Sequence, residues 1–261
     1  MSDKFLTRRR LLTGAASLVG AGALGAWYRF GSPPSLGEIL GSAEHLNRGL
    51  QQAMIGREAL AREYSPSDVS PYFKPNGTQD AGGLPPEYME DAENGFPEWR
   101  LEVGGLVARP ARFTLAEVRA LPARSQITRH DCVEGWSVIG GWRGPQLSTI
   151  LNRVGLLPEA RYIVFYCADE FPFYFSGLSS YYESVDLIDA FHPQTILAYE
   201  MNGEPLTIAH GAPLRLRVER QLGYKMAKFV HRIEAVARFD DIHGGNGSYW
   251  ADNGYAWYAG I

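Results

Sequence analysis

One ten-residue stretch gathers most of the groups able to do chemistry: Thr128-Arg129-His130-Asp131-Cys132-Val133-Glu134-Gly135-Trp136-Ser137. A thiol acts as nucleophile or metal ligand only as the thiolate, and the flanking carboxylates of Asp131 and Glu134 raise its pKa rather than lower it. Arg129 and His130 oppose them. A bound metal cation would decide the balance, because a coordinating thiol is deprotonated outright. The bare residues favour the simpler alternative, a buried and inert cysteine. The other of the two cysteines, Cys167, reads as core. Two cysteines are too few for a disulfide framework and lack zinc-site spacing, although one bridge between them is compatible with the count.

The elements that must position this stretch read as strands with a few short helices. Trp99 to Val103 alternates like a strand, Tyr162 to Cys167 is an apolar strand, and Leu214 to Val218 and Phe229 to Ala237 alternate again. Thr195 to Met201 runs into Asn202-Gly203, the strongest short hairpin signal. Thr114-Leu115-Ala116-Glu117 is a capping box opening a helix to about Leu121, and a second short helix near Ser148 to Val154 stops at Gly155. Helices do not alternate regularly with strands, so the chain reads as an α+β, predominantly β domain rather than a nucleotide-binding doubly wound sheet. No glycine-rich phosphate fingerprint follows a strand, which counts against nicotinamide or ATP.

Several blocks, in register over about residues 71–238, resemble the sulfite oxidase family of molybdenum enzymes. They are Cys132-Val133-Glu134-Gly135-Trp136-Ser137 with Trp142-Arg143-Gly144-Pro145, Trp99 to Val107, His192-Pro193-Gln194-Thr195, His210-Gly211-Ala212-Pro213-Leu214-Arg215 and Gly223-Tyr224-Lys225-Met226-Ala227-Lys228. The resemblance implies a mixed-sheet molybdopterin-binding fold, Mo-molybdopterin as cofactor, and Cys132 as the catalytic protein thiolate on the metal, sensible chemistry for a soft ligand. It implies cofactor binding by Asn76, Asp169, His210, Arg215, Met226, Ala227 and Lys228. Guanidinium and ammonium groups there suit a phosphate-bearing ligand, Met226 and Ala227 would offer backbone groups, and Asn76 belongs to an early loop, Phe73-Lys74-Pro75-Asn76-Gly77. Each has a plainer alternative: His210 bonding a turn, Lys228 at a sheet edge, Asn76-Gly77 as a turn. Arg217 is assigned to a solvated face. Arg129, His130, Asp131 and Glu134 are candidates to tune the thiolate from behind it.

The chain has 25 Lys and Arg against 29 Asp and Glu. The first thirty residues hold five of the bases and one acid, leaving 20 bases, 28 acids and a charge of −8 beyond them. So acidic a body makes nucleic acid a poor partner, since that affinity comes from Lys and Arg displacing counterions. Residues 1–30, with Thr7-Arg8-Arg9-Arg10-Leu11-Leu12 ahead of an uncharged stretch, resemble a twin-arginine export signal, cleaved near Ala21-Gly22-Ala23 or retained as an anchor. Residues 31–70 read as a linker and an amphipathic helix over 43–63, and 71–261 as the molybdopterin domain.

In animal and plant members of the family, arginines five residues beyond the cysteine and in an early Arg-Asn-His loop hold the anion; Ser137, Lys74 and Gly77 stand there instead. The resemblance is therefore to the exported bacterial branch of the protein-methionine-sulfoxide reductase catalytic subunits, although His210 replaces an asparagine of that branch. It implies a periplasmic enzyme performing two-electron oxygen-atom transfer on a small-molecule or protein-bound oxo substrate. Export would use the twin-arginine machinery, and electrons would be exchanged with a separate redox protein such as a cytochrome, because no haem-attachment motif is present. The alternatives are a sulfite dehydrogenase with an anion pocket rebuilt from Lys74, Arg129 and Lys225, and an exported binding module without turnover. The aromatic run Ser248 to Tyr258 is expected to dock on the core, the alternatives being a place over the cofactor mouth or a partner surface. A monomer is expected, because the chain ends before the extra domain that mediates family dimers.

Overall fold

The structure is a computed structural model that describes residues 58–173 and 177–261, together with positions 46, 49, 50 and 56. The export signal read over 1–30 lies outside the described residues, and among the latter no helix is long and apolar enough to cross a membrane. The chain divides into two units, 1–56 and 57–261. In the first, Leu46, Gly49 and Leu50 are helical. In the second, residues 59–62 are not helical where a helix to residue 63 was expected, and Leu60 is 60% exposed. The physical reason is long-range pairing that helical periodicity does not register. Ala61 N–H donates to Gln194 Oε1 at 2.8 Å, its carbonyl accepts from Gln194 Nε2 at 2.9 Å, and Glu63 bridges Thr128.

In chain order the second unit contains α1 (Pro86–Glu93), β1 (Arg100–Gly105), β2 (Ala111–Thr114), α2 (Leu115–Arg119), β3 (Ala123–Cys132), β4 (Trp136–Pro145) and α3 (Leu147–Val154). There follow β5 (Tyr162–Phe173), β6 (Gly177–Asp186), α4 (Leu187–Ala190), β7 (Ile196–Ala198), β8 (Glu200–Met201), β9 (Glu204–Pro205), β10 (Arg215–Arg217), β11 (Val230–Val236) and α5 (Tyr249–Asp252). The α+β, mostly β expectation holds. A five-stranded sheet runs β2-β1-β11-β5-β6, with β1 and β11 parallel and the other neighbours antiparallel. The antiparallel sheet β3-β4-β8-β9 and the ribbon β7-β10 complete the set.

Local signals place several ends where the sequence puts them. Thr114 Oγ1 accepts from Glu117 N–H at 3.1 Å while the Glu117 carboxylate takes the Thr114 N–H at 2.8 Å, a reciprocal cap that starts α2. Asn202 and Gly203, at φ 53° and 87°, turn β8 into β9. α3 buries Leu147, Ile150, Leu151 and Val154, an i, i+3, i+4, i+7 stripe, and ends at Gly155. These residues pack with Leu101, Val103, Ile163, Phe165, Leu216 and Ile233 in the main core, where Cys167 is also buried as expected. A smaller cluster of Phe73, Trp142, Ile196, Ala198, Leu206 and Ala212 lies between the early loop and the β7-β10 ribbon.

Candidate active site

β3 and β4 pair from Ala123↔Pro145 to Cys132↔Trp136, so Cys132 stands at the tip of a long hairpin. The turn closes through the Gly135 N–H on the Cys132 carbonyl at 3.0 Å. The alternation of β3 buries Gln126, Thr128, His130 and Cys132 on one face. Cys132 lines a cleft together with Asn76, Asp169, Met226 and Lys228, four residues expected at the cofactor, and with Glu134, Phe171, Tyr181, Tyr224 and Trp250. Burial first, and the Glu134 charge behind it, push the Cys132 thiol up from its ordinary pKa. Such a thiol is no free nucleophile; it suits a metal that deprotonates it on binding.

The early loop is fastened to this cleft by one side chain. Lys228 Nζ donates to the carbonyls of Asn76 (2.7 Å), Ala209 (2.8 Å) and Thr78. It is buried rather than at a sheet edge, and burial and the nearby Arg215 charge bring its pKa down to about 7. An ammonium offers three donors, so Lys228 positions the loop instead of presenting a free cation. The loop's other end is held by Phe73, whose ring meets those of His130, Trp142 and His210. His210 itself bonds the Thr207 hydroxyl through Nδ1 (2.8 Å) and the Phe73 carbonyl through Nε2 (3.1 Å). It braces the loop from outside the cleft, closer to the plain turn reading than to a ligand contact. Ala227 also lies off the cleft, its carbonyl accepting from Leu216 N–H at 2.8 Å.

β10 carries the largest departure from expectation. Arg217 does not face solvent: it and Arg215 are both fully buried, two residues apart on one strand, over the ring of Trp142 at 4.2 and 4.9 Å. Charge alone suggested exposure. A partner two residues on decides otherwise, since Arg217 forms a bidentate pair with Glu219 (2.9 and 2.7 Å) and donates to His130 Nδ1 at 3.0 Å. His130, held neutral by burial and the surrounding cations, also touches Met226 Sδ at 3.3 Å. Gly223 lets the next turn approach this ring, for a Cβ there would fall 2.3 Å from His130 Nε2. Arg215 is different in kind. Its Nη1 donates to the His210 carbonyl at 3.0 Å, but Nε and Nη2 are buried without a partner. Burial and the Arg217 charge lower its pKa to about 9, so it stays cationic at neutral pH.

Asp169 reaches the cleft because β5 continues past Cys167 through a register shift between Tyr166 and Glu170. Thr78 Oγ1 donates to its Oδ2 at 3.0 Å, Oδ1 has no partner, and burial raises its pKa from 3.8 to about 7. The folded chain therefore keeps a proton that the unfolded chain releases, and this contribution to stability is full below the unfolded value and lost as pH rises through the folded one. Asp169→Asn, which cannot ionise, is expected to gain melting temperature on wild type between about pH 4 and about pH 7 and to hold that gain above. Thermal melts across this range check it; a pH-independent difference contradicts it.

Tyr181 and Tyr224 were not singled out by sequence reasoning as cleft residues, and Trp250 was covered only by the alternative that placed the aromatic run at the cofactor mouth. Tyr181 lies on β6 with its hydroxyl bonded to the Tyr224 carbonyl at 2.6 Å. Trp250 belongs to the aromatic run, which both docks on the core, through buried Tyr249 and Tyr258, and supplies a cleft wall. The polar cleft residues fit a phosphate-bearing pterin. Asn76 Oδ1 is a buried acceptor without a partner, Asp169 Oδ1 is a second unmet polar atom and a donor while its carboxyl is protonated, and the Cys132 sulfur stands ready for a soft metal; Arg215, fully buried and not among the residues lining the cleft, keeps two donor atoms that an anion would satisfy.

The chain is similar to proteins of one family. Residues 87–242 match the oxidoreductase molybdopterin binding domain. A putative protein-methionine-sulfoxide reductase subunit of Azospira oryzae is 41% identical over 162 residues, 62% of this chain and 56% of that protein. A protein-methionine-sulfoxide reductase catalytic subunit of Xanthomonas axonopodis pv. citri is 32% identical over 150 residues, 55% of this chain and 46% of that protein. The chain thus spans about half the length of these curated relatives. The sulfane dehydrogenase SoxCD of Paracoccus pantotrophus superposes with a TM-score of 0.47 at 24% identity, over 54% of this chain and 39% of that one. The match over residues 87–242, on the segment that holds Cys132, Asp169 and Arg215, makes this chain a member of the oxidoreductase molybdopterin-binding domain family, whose cofactor is molybdopterin.

Proposed function

We propose that the chain is an exported, molybdopterin-dependent sulfoxide reductase. The S=O bond of a neutral sulfoxide is broken, two electrons arrive from a separate redox protein with two protons from water, and the thioether and water leave. Bound molybdopterin would supply the metal centre that accepts the oxygen atom and passes the electrons. Cys132 would ligate that metal, Arg215 would take the phosphate end, and Asn76 and Asp169 would meet the pterin's polar edge. Asp169 Oδ1, favoured in its protonated form up to about pH 7, also offers a proton inside the cleft.

The observation that carries the substrate class is the state of the cations. The three groups from which an alternative anion pocket was drawn are committed elsewhere: Lys74 to Glu134 at 3.5 Å, Arg129 to Asp131 at 2.9 Å, and fully buried Lys225 to Glu183. Lys225 is therefore no part of a sulfite pocket, and at the cleft mouth the Lys74 charge is balanced by Glu134. An oxyanion would find no uncommitted cation among these three, whereas a neutral S=O group needs none. The names of the relatives point to the same substrate. Periplasmic localisation through the twin-arginine route, with a retained or cleaved signal, follows from the Thr7 to Leu12 motif.

Steady-state assays of molybdenum-loaded protein test this reading, with a reduced viologen dye and methionine sulfoxide in one direction and sulfite with an oxidised acceptor in the other. A kcat/KM for the sulfoxide at least about a hundredfold above that for sulfite is expected, the discrimination one mispaired charge can impose. The reverse ratio would restore the sulfite reading, and turnover of neither by fully loaded protein would leave the binding-module reading.

A further inference from the structure

We propose that the segment following residue 242 builds a substrate-selecting wall on this cleft, and that Trp250 is a specificity-determining residue for sulfoxides bearing apolar arms. This rests on the reading of the cleft as a sulfoxide site. The wall lies beyond residue 242, where the match to the family model ends. It is firmly built. Ser248, fully buried, accepts from Ala251 N–H at 3.1 Å, and the Asp252 carboxylate gathers the N–H groups of Gly244 (2.9 Å) and Asn246 (3.0 Å) and the Tyr182 hydroxyl.

These bonds fix α5, and α5 fixes Trp250. Its ring is packed by Tyr255 at 4.9 Å, Tyr249 at 5.3 Å and Phe171 at 6.5 Å, and Trp250 lines the cleft that Cys132 also lines. Tyr249 beside it is core, whereas Trp250 keeps part of its surface uncovered. With Phe171 and the largely buried Tyr181 it gives the cleft three aromatic walls. Aromatic faces attract divalent sulfur and alkyl groups and offer nothing to a strongly hydrated oxyanion. A flexible, uncharged side chain ending in a methyl sulfoxide, such as methionine sulfoxide within a peptide, matches these walls at its carbon atoms and leaves its oxygen for the Cys132 end.

Trp250→Ala and Trp250→Phe, assayed as molybdenum-loaded enzymes on a methionine sulfoxide peptide, test the proposal, with molybdenum and released pterin measured on the same samples. The alanine variant is expected to raise KM by about tenfold, the size of the lost burial of one to two CH2 groups, with cofactor content at the wild-type level, and the phenylalanine variant to recover most of the loss. An unchanged KM in Trp250→Ala overturns the proposal while leaving the sulfoxide reading intact. Loss of pterin from a folded variant also overturns it, by assigning the wall to the cofactor. A loaded wild-type enzyme that reduces no sulfoxide overturns the reading of function and the wall with it.

Discussion

Cys132→Ser is expected to lower oxygen-atom transfer by at least about a thousandfold, roughly 4 kcal/mol in the barrier, while the chain still folds. The argument starts from burial. The thiol's pKa is raised by its surroundings, so nothing but a bound cation makes it a thiolate. Serine is harder and far less acidic, and cannot stand in for a soft anionic ligand. Stability should shift by less than about 1 kcal/mol, because the residue ends a hairpin whose strand pairing does not depend on sulfur. Turnover assays and thermal melts check the two halves; activity within tenfold of wild type would remove Cys132 from the metal.

Arg215→Met is expected to do two things of opposite sign. Cofactor content should fall by at least about tenfold, the size of loss expected if the proposed guanidinium–phosphate contact is removed. The cofactor-free chain should melt no lower than wild type, and by up to about 1–4 kcal/mol more stably, because a buried cation with two unmet donors is exchanged for an apolar side chain of similar length. Pterin analysis and melts of the two apo chains decide it. A merely structural arginine would give the contrary pattern, full cofactor and a less stable fold.

Local grammar made much of this legible. The capping box of α2, the Asn202-Gly203 turn and the alternation of β1 and β11 depend on neighbours within a few residues, and they stand where the sequence puts them. The cleft assembled from Asn76, Cys132, Asp169, Met226 and Lys228 was legible through the family resemblance alone, since residues 76 and 228 meet only through a lysine bonded to distant carbonyls. What escaped was long-range. Arg217 read as a solvated charge because His130 and Trp142, which enclose it, lie far away in the chain, and Glu219 two residues on carries no burial signal by itself. The arm at 59–62 read as helix because Gln194, 133 residues away, supplies its pairing. Trp250 carries no periodic signal; only the packing of α5 brings it to the mouth of the cleft.

The central claim is that this cleft holds molybdopterin, with Cys132 on the metal. Molybdenum and released pterin should be measured on protein produced in a molybdenum-replete host, and the Mo(V) resonance of that protein compared with that of Cys132→Ser. Near-stoichiometric metal and pterin, with a resonance altered by the substitution, is the result this account predicts. A well-folded chain carrying neither, or a resonance indifferent to Cys132, would contradict it.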